Sequence, residues 1–306
     1  MHEGSRRAIA AAFVANLGIA IAKFVAFLAT GAASMLAESI HSLADTGNQG
    51  LLFLGGRRAS RAPSKTHQFG YGRERYFWAF VVALVLFSLG SMFALYEGIA
   101  KLVHPHEIKS PEWAFGVLGI AIVLESFSLR TAVHEAAKVR GDRTWWKFIR
   151  TSKSPELPVV LLEDVGALVG LVFALVGVAT ATVTDEPAFD AVGSIAIGLL
   201  LGVIAIVLAI EMKSLLIGES ASPEEQAVIR EAIEGSPDVD RLIHLRTEHL
   251  GPEDLLIAAK VDLSPEGNEG TAQAVDRVEA RIRTVAPHAK VIYLEPDEFR
   301  GETEAY

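Results

Sequence analysis

The 306 residues contain no cysteine. Disulfides and thiolate metal sites are therefore excluded, and any metal must be held by His, Asp, Glu or carbonyl oxygen. Positive charge is also scarce: 28 Lys and Arg against 37 Asp and Glu leave a formal net charge of −9. That balance argues against nucleic acid as a partner. The chain has no H-E-x-x-H pair, no phosphate-binding glycine loop, no long internal repeat and no low-complexity run. No small-residue cleavage site or long Arg/Ser-rich presequence precedes the first apolar stretch. That stretch is expected to be a retained span, with no organellar transit peptide.

What the chain does have is apolar length. It is 51% hydrophobic with a mean hydropathy of +0.34, a balance typical of a polytopic membrane protein with a soluble part. Six spans are expected, at about residues 8–29, 34–54, 77–102, 113–133, 159–183 and 189–216, each long enough to cross roughly 30 Å of hydrocarbon. The loop after the second span carries Arg57, Arg58, Arg61, Lys65, Arg73 and Arg75. The loop after the fourth carries Lys138, Arg140, Arg143, Lys147, Arg150 and Lys153. The links Thr30-Gly-Ala-Ala and Thr184-Asp-Glu-Pro have no basic residue. The positive-inside rule then places both termini in the cytoplasm, in a cell membrane expected to be the bacterial inner membrane. Gly166 and Gly170, and likewise Gly198 and Gly202, are four apart, a spacing that lets helix backbones approach closely.

After Gly218 the composition changes. Ser222-Pro-Glu-Glu is a capping box with proline at the first helical position, opening an amphipathic helix to about Glu234. Residues 242–250 and 255–263 read as strands around the turn Gly251-Pro-Glu-Asp. Residues 271–285 read as a helix and 290–294 as a last strand. The expected organisation is a transmembrane part, 1–218, and a soluble α+β part, 219–306, of order α-β-β-α-β.

The chemistry concentrates in the second span. Glu38, His41, Asp45 and Asn48 step by three and four and share one helix face. An acid at mid-bilayer costs about 2.5–3.5 kcal/mol on the mildest scale, so this stripe should face a bundle interior, a water path or an ion. His41 and Asp45, at i and i+4, can reach one ion from the same side. Further ligands must come from a facing span: Asp164, with Glu163 and Glu125 as additional candidates. Imidazole with carboxylates suits Zn2+ first, with Mn2+, Fe2+ and Co2+ behind. The bland alternative is a hydrogen-bonded His–Asp pair that only packs helices. Glu38, nearer the start of the span, reads as a gate or surface group, and Asp190 as an acid favoured by the start of its own helix. Three functions fit these residues. They are a proton-coupled divalent cation transporter, an intramembrane metalloenzyme with Glu163 as general base, and a non-transporting dimeric membrane scaffold.

At these residues the chain resembles the cation diffusion facilitators, and within them the mitochondrial zinc transporter 9 branch and its bacterial relatives. The resemblance covers nearly the whole chain. It lies in the His41-x-x-x-Asp45 pair, the facing Leu-Leu-Glu-Asp ending in Asp164, Glu125-Ser in the fourth span, and His67-Gln-Phe-Gly-Tyr-Gly-Arg before the third. It implies metal/proton antiport with a divalent cation held between spans two and five, and a homodimer formed through a ferredoxin-like C-terminal domain. It implies no prosthetic group. Val160 stands where the family places a ligand, leaving the implied tetrahedral set one short, with Glu163, Glu125 or water to complete it. Ser64, Tyr71 and Tyr293 stand where ligands of the family's loop and C-terminal sites are expected, with Glu295 and His244 or His249 remaining in the C-terminal part.

Overall fold

The computed structural model describes residues 3–264 and 270–300, with side chains from residue 16 onward. The chain divides into two compact units. One runs up to Gly56 and resumes over Phe77–Lys213; the other is Arg57–Tyr76 with the stretch from Ser214 onward.

The first unit is a bundle of long helices: α1 (Glu3–Thr30), α2 (Ala33–Ala59), α3 (Glu74–Val85), α4 (Phe93–Val103), α5 (Pro111–Arg140), α7 (Glu156–Thr184) and α8 (Ala188–Ile217). A stretch of π-helix, Leu86–Met92, joins α3 to α4, so Glu74–Val103 is one rod with its register shifted midway. Among the described residues this rod, α5, α7 and α8 are each long and apolar enough to cross a membrane. The 27 residues of α2 reach about as far, but its polar stripe lowers its apolarity. With α1 these make the six helices of spanning length that the hydropathy runs indicate. Large apolar side chains such as Ile120, Phe127, Leu199 and Val203 point outward, as lipid-facing residues of a multi-pass integral membrane protein do.

Small residues allow close packing inside the bundle. A Cβ on Gly198 would lie 2.9 Å from the Leu95 backbone nitrogen, and one on Gly98 would lie 2.9 Å from the Ala191 carbonyl. Helices α4 and α8 therefore meet backbone to backbone. The hydroxyls of Ser91 and Ser194 seal the contact by donating to the Gly198 and Ala94 carbonyls, at 2.8 and 2.9 Å. A short helix that the apolar pattern does not indicate, α6 (Trp145–Thr151), sits between α5 and α7. Thr144 caps it, and Phe148 and Ile149 anchor it against Leu157, Leu162 and Val207.

The second unit has the order α9 (Pro223–Glu234), β1 (Val239–Gly251), β2 (Asp254–Leu263), α10 (Thr271–Val285), β3 (Ala289–Pro296). The sheet order is β1-β2-β3, with β1/β2 antiparallel and β2/β3 parallel across the α10 crossover. Leu255, Ile257, Ala259 and Val261 alternate along β2 and are buried. They meet Ile229 and Ile233 of α9 and Val278 and Ile282 of α10 in one core. The segment between spans two and three packs on the β1–β2 hairpin. Arg73 pairs with Glu248, Arg75 reaches Glu253 at 3.8 Å, and a Cβ on Gly72 would meet the Leu250 carbonyl at 2.6 Å. Ser64 and Tyr71 exchange a 3.1 Å hydrogen bond, and the His67 ring lies 4.6 Å from that of Tyr71.

Candidate metal centre

Helix α2 is fixed at its start by a carboxylate from another helix. The first backbone N–H groups of a helix lack internal acceptors. Here Asp190 of α8 accepts from the Ala33 and Ser34 N–H groups at 2.7 and 3.4 Å and from the Ser34 hydroxyl. Lys101 of α4 donates to Asp190 at 2.8 Å and to the Gly31 carbonyl at 3.0 Å. Asp190 lies in the first turn of its own helix, as expected, and serves the start of α2 as well. Both side chains of the Lys101–Asp190 pair are fully buried.

From this anchored end the stripe turns inward. Glu38, His41 and Asn48 are fully buried, and the Asp45 side chain is only 16% exposed. His41 Nε2 lies 3.5 Å from Asp45 Oδ2, and neither ring nitrogen of His41 has a hydrogen-bond partner. Glu38 is not a surface group. Lys23 of α1, itself fully buried, approaches it at 3.0 Å and also donates to Ser42 Oγ at 2.6 Å. This correction has a tertiary cause, since only the packing of α1 on α2 supplies the counter-charge.

Helix α7 faces the stripe. Asn48 Nδ2 donates to Glu163 Oε1 at 2.7 Å, a direct bond between spans two and five. Asp164 lies beside it and accepts from Ser128 of α5 at 3.1 Å. Asp45, Glu125, Glu163 and Asp164 line one cavity of about 20 Å3 together with Asn16, Ser42, Gln49 and Val160. Four carboxylates from α2, α5 and α7 therefore border a space the size of one small ligand. His41 does not line it and stands one turn earlier on α2. Among the described residues no three His, Asp or Glu side chains are already gathered closely enough to hold a metal ion. Lys23, Asn16 and Ser42 are the contributors that reading for acids and imidazoles misses. The signal for Lys23 was present in the sequence as a charged residue inside an otherwise apolar span.

An apolar bundle with acids turned toward an internal cavity is the frame of an ion carrier. The transmembrane model of one family, the cation efflux transmembrane domain, matches residues 9–217. The chain belongs to the cation efflux family. A proton-coupled zinc antiporter of mouse mitochondria (SLC30A9) is 34% identical over 243 residues, covering 78% of this chain and 43% of the mouse protein. Metal tolerance protein C4 of Arabidopsis thaliana is 29% identical over 262 residues, 85% of this chain and 57% of that protein. The magnetosome protein MamB of Magnetospirillum gryphiswaldense is 23% identical over 285 residues, 92% of this chain and 90% of its own. The chain thus spans about half the length of the mouse and plant relatives it matches. Membership in the cation efflux family sets the metalloenzyme reading aside. The cavity of this member of the cation efflux family is lined from both helices that the Asn48–Glu163 bond joins.

Proposed function

We propose that this cation efflux protein exports a divalent cation, zinc first, in exchange for protons, and holds it between α2 and α7 during alternating access. One observation carries the reading: Asp45, Glu125, Glu163 and Asp164 converge on a single small cavity inside the membrane-spanning unit. Like charges in a poorly solvated space repel and are costly. A dication would relieve that cost, and protons would relieve it when the dication leaves, since ligands bind a metal or a proton but not both.

Asp45 and Asp164 are the core ligands of the proposal. His41 joins them by turning about its stem toward Asp45, which it already nears at 3.5 Å. Val160 cannot coordinate, so Glu163 or Glu125 completes the set. The side chains close on the ion when it enters, because a site gathered in advance would release its cargo slowly. The names of the mouse and plant relatives, a proton-coupled zinc antiporter and a metal tolerance protein, support the substrate class. The basic loops support a cytoplasmic position for both termini; the membrane of the proposal is a bacterial inner membrane. The C-terminal unit provides a surface for a homodimer.

Reconstitution into sealed vesicles with a zinc dye and a pH dye tests the reading. The expected result is zinc uptake with opposing proton movement, abolished in Asp45→Asn and Asp164→Asn. Unimpaired flux in both variants refutes the site. Zinc flux without opposing protons removes the exchange mechanism, and no flux of any divalent cation leaves the scaffold reading in its place.

A further inference from the structure

The cavity has a charge pair beside it that the ligand set does not use. Lys23 and Glu38 are both fully buried and stand 3.0 Å apart. The Lys23 ammonium also donates to Ser42 at 2.6 Å, and Ser42 lines the cavity. One hydroxyl therefore separates the Lys23 amine from the proposed ion position. The other Glu38 oxygen, Oε1, has no hydrogen-bond partner and faces α7, where a Cβ on Gly170 would come within 2.5 Å of it. Glu38 thus presents a bare oxygen to the helix that bears Glu163 and Asp164. Helix packing alone gives no reason for this arrangement, because a buried ion pair is no more stabilising than well-packed apolar residues.

We propose that Lys23 is a tethered counter-cation that cancels the charge of Glu38 and so sets the affinity of the cavity for its dication. The inference rests on the site reading above. With Lys23 in place, most of the field of Glu38 on the ion is cancelled, and the cation binds weakly enough to leave. Without Lys23, Glu38 is left as an additional acid one helical turn from His41, which the dication ionises by displacing its proton. Without Glu38, the Lys23 amine stands beside the cavity with no acid partner, and any charge it carries opposes the dication. The two deletions therefore act in opposite directions, which a structural role would not do. Lys23 and Glu38 act through the field and are positioning residues, not ligands.

Equilibrium binding of radioactive zinc to the full chain in detergent, with turnover measured in vesicles, tests this. Lys23→Met is expected to tighten zinc binding by at least about tenfold, from Coulomb interaction across a few ångströms to about ten at an intermediate dielectric. Its turnover at saturating zinc should fall, because release slows. Glu38→Gln should weaken binding by a similar factor. The double variant should return to within about threefold of the unaltered protein, since the net field is restored. Lys23→Arg, which keeps the charge, should match the unaltered protein. Weaker or unchanged binding in a folded Lys23→Met overturns the proposal. If Lys23→Met does not fold, the double variant decides: binding weakened as in Glu38→Gln alone overturns it, and recovery supports it. Zinc binding as tight in Asp45→Asn as in the unaltered chain overturns the site reading itself, and is read separately from the charge-reversal pattern.

Discussion

Asn48→Ala probes the link between the two helices that flank the cavity. Asn48 is fully buried and Glu163 is 4% exposed, and their 2.7 Å bond is the hydrogen bond made by Glu163 Oε1. Truncation leaves a buried carboxyl oxygen without its donor, at a cost of about 1–3 kcal/mol. The lost side chain adds a small cavity, so about 2–3 kcal/mol of destabilisation is expected in the metal-free protein. In a helical unit of this size that is a fall of roughly 4–12 °C in thermal midpoint. If Glu163 also binds the ion, zinc supplies the missing partner. The variant should then gain more thermal stability from zinc than the unaltered protein does. The assay is thermal unfolding in detergent, with and without saturating zinc. A midpoint within about 1 °C of the unaltered protein would refute the argument that this bond holds α2 to α7. Equal stabilisation of both proteins by zinc would remove Glu163 from the ligand set.

Other perturbations have equally definite outcomes. Lys101→Met leaves Asp190 buried without its cation, so the thermal midpoint should drop by the equivalent of about 3–5 kcal/mol; a drop under about 1 kcal/mol would contradict the anchoring role given to Asp190. Gly72→Val places side-chain atoms where a Cβ alone would meet the Leu250 carbonyl at 2.6 Å. It should raise hydrogen exchange across residues 57–76 and the β1–β2 turn, with a cost of about 1–3 kcal/mol, and unchanged exchange would show that the segment is not packed there. Asp238 accepts from Arg277 at 2.9 and 2.7 Å, and these hydrogen bonds hold its carboxyl below the ordinary range. Its stabilising contribution is therefore present above the usual carboxylate pKa and is lost as pH falls through the lowered folded value. Protection factors of the β1 amides, corrected for the intrinsic pH dependence of exchange, should fall in acid, and Arg277→Ala should remove that part of the pH dependence.

The long helices and the α-β-β-α-β unit are legible in the sequence because each rests on a strong periodic signal. Twenty-residue apolar runs, the Ser222 cap on the Glu225 N–H and the alternation along β2 all survive tertiary packing. Helix α6 is not legible, because seven residues inside a basic loop give too short a pattern. The π-helical stretch at Leu86–Met92 has no pattern at all, since its register is set by neighbouring helices. For the candidate site, acids inside apolar spans draw attention to Asp45, Glu125, Glu163 and Asp164 on residue type alone. Which polar groups satisfy one another is a matter of helix packing. Glu38 reads as a gate or surface group until Lys23 of α1 is set against it, and the position of Asp190 at the start of its own helix does not reveal that it also caps α2.

The central claim is that an ion sits among carboxylates from spans two, four and five. Zinc-edge anomalous diffraction from crystals of the zinc-soaked protein tests it most directly. The account predicts a peak within coordination distance, about 2.0–2.2 Å, of carboxylate oxygens of Asp45 and Asp164. A zinc peak in the spanning helices that lies outside this cavity, or a cavity that stays without signal while zinc is transported, would contradict it.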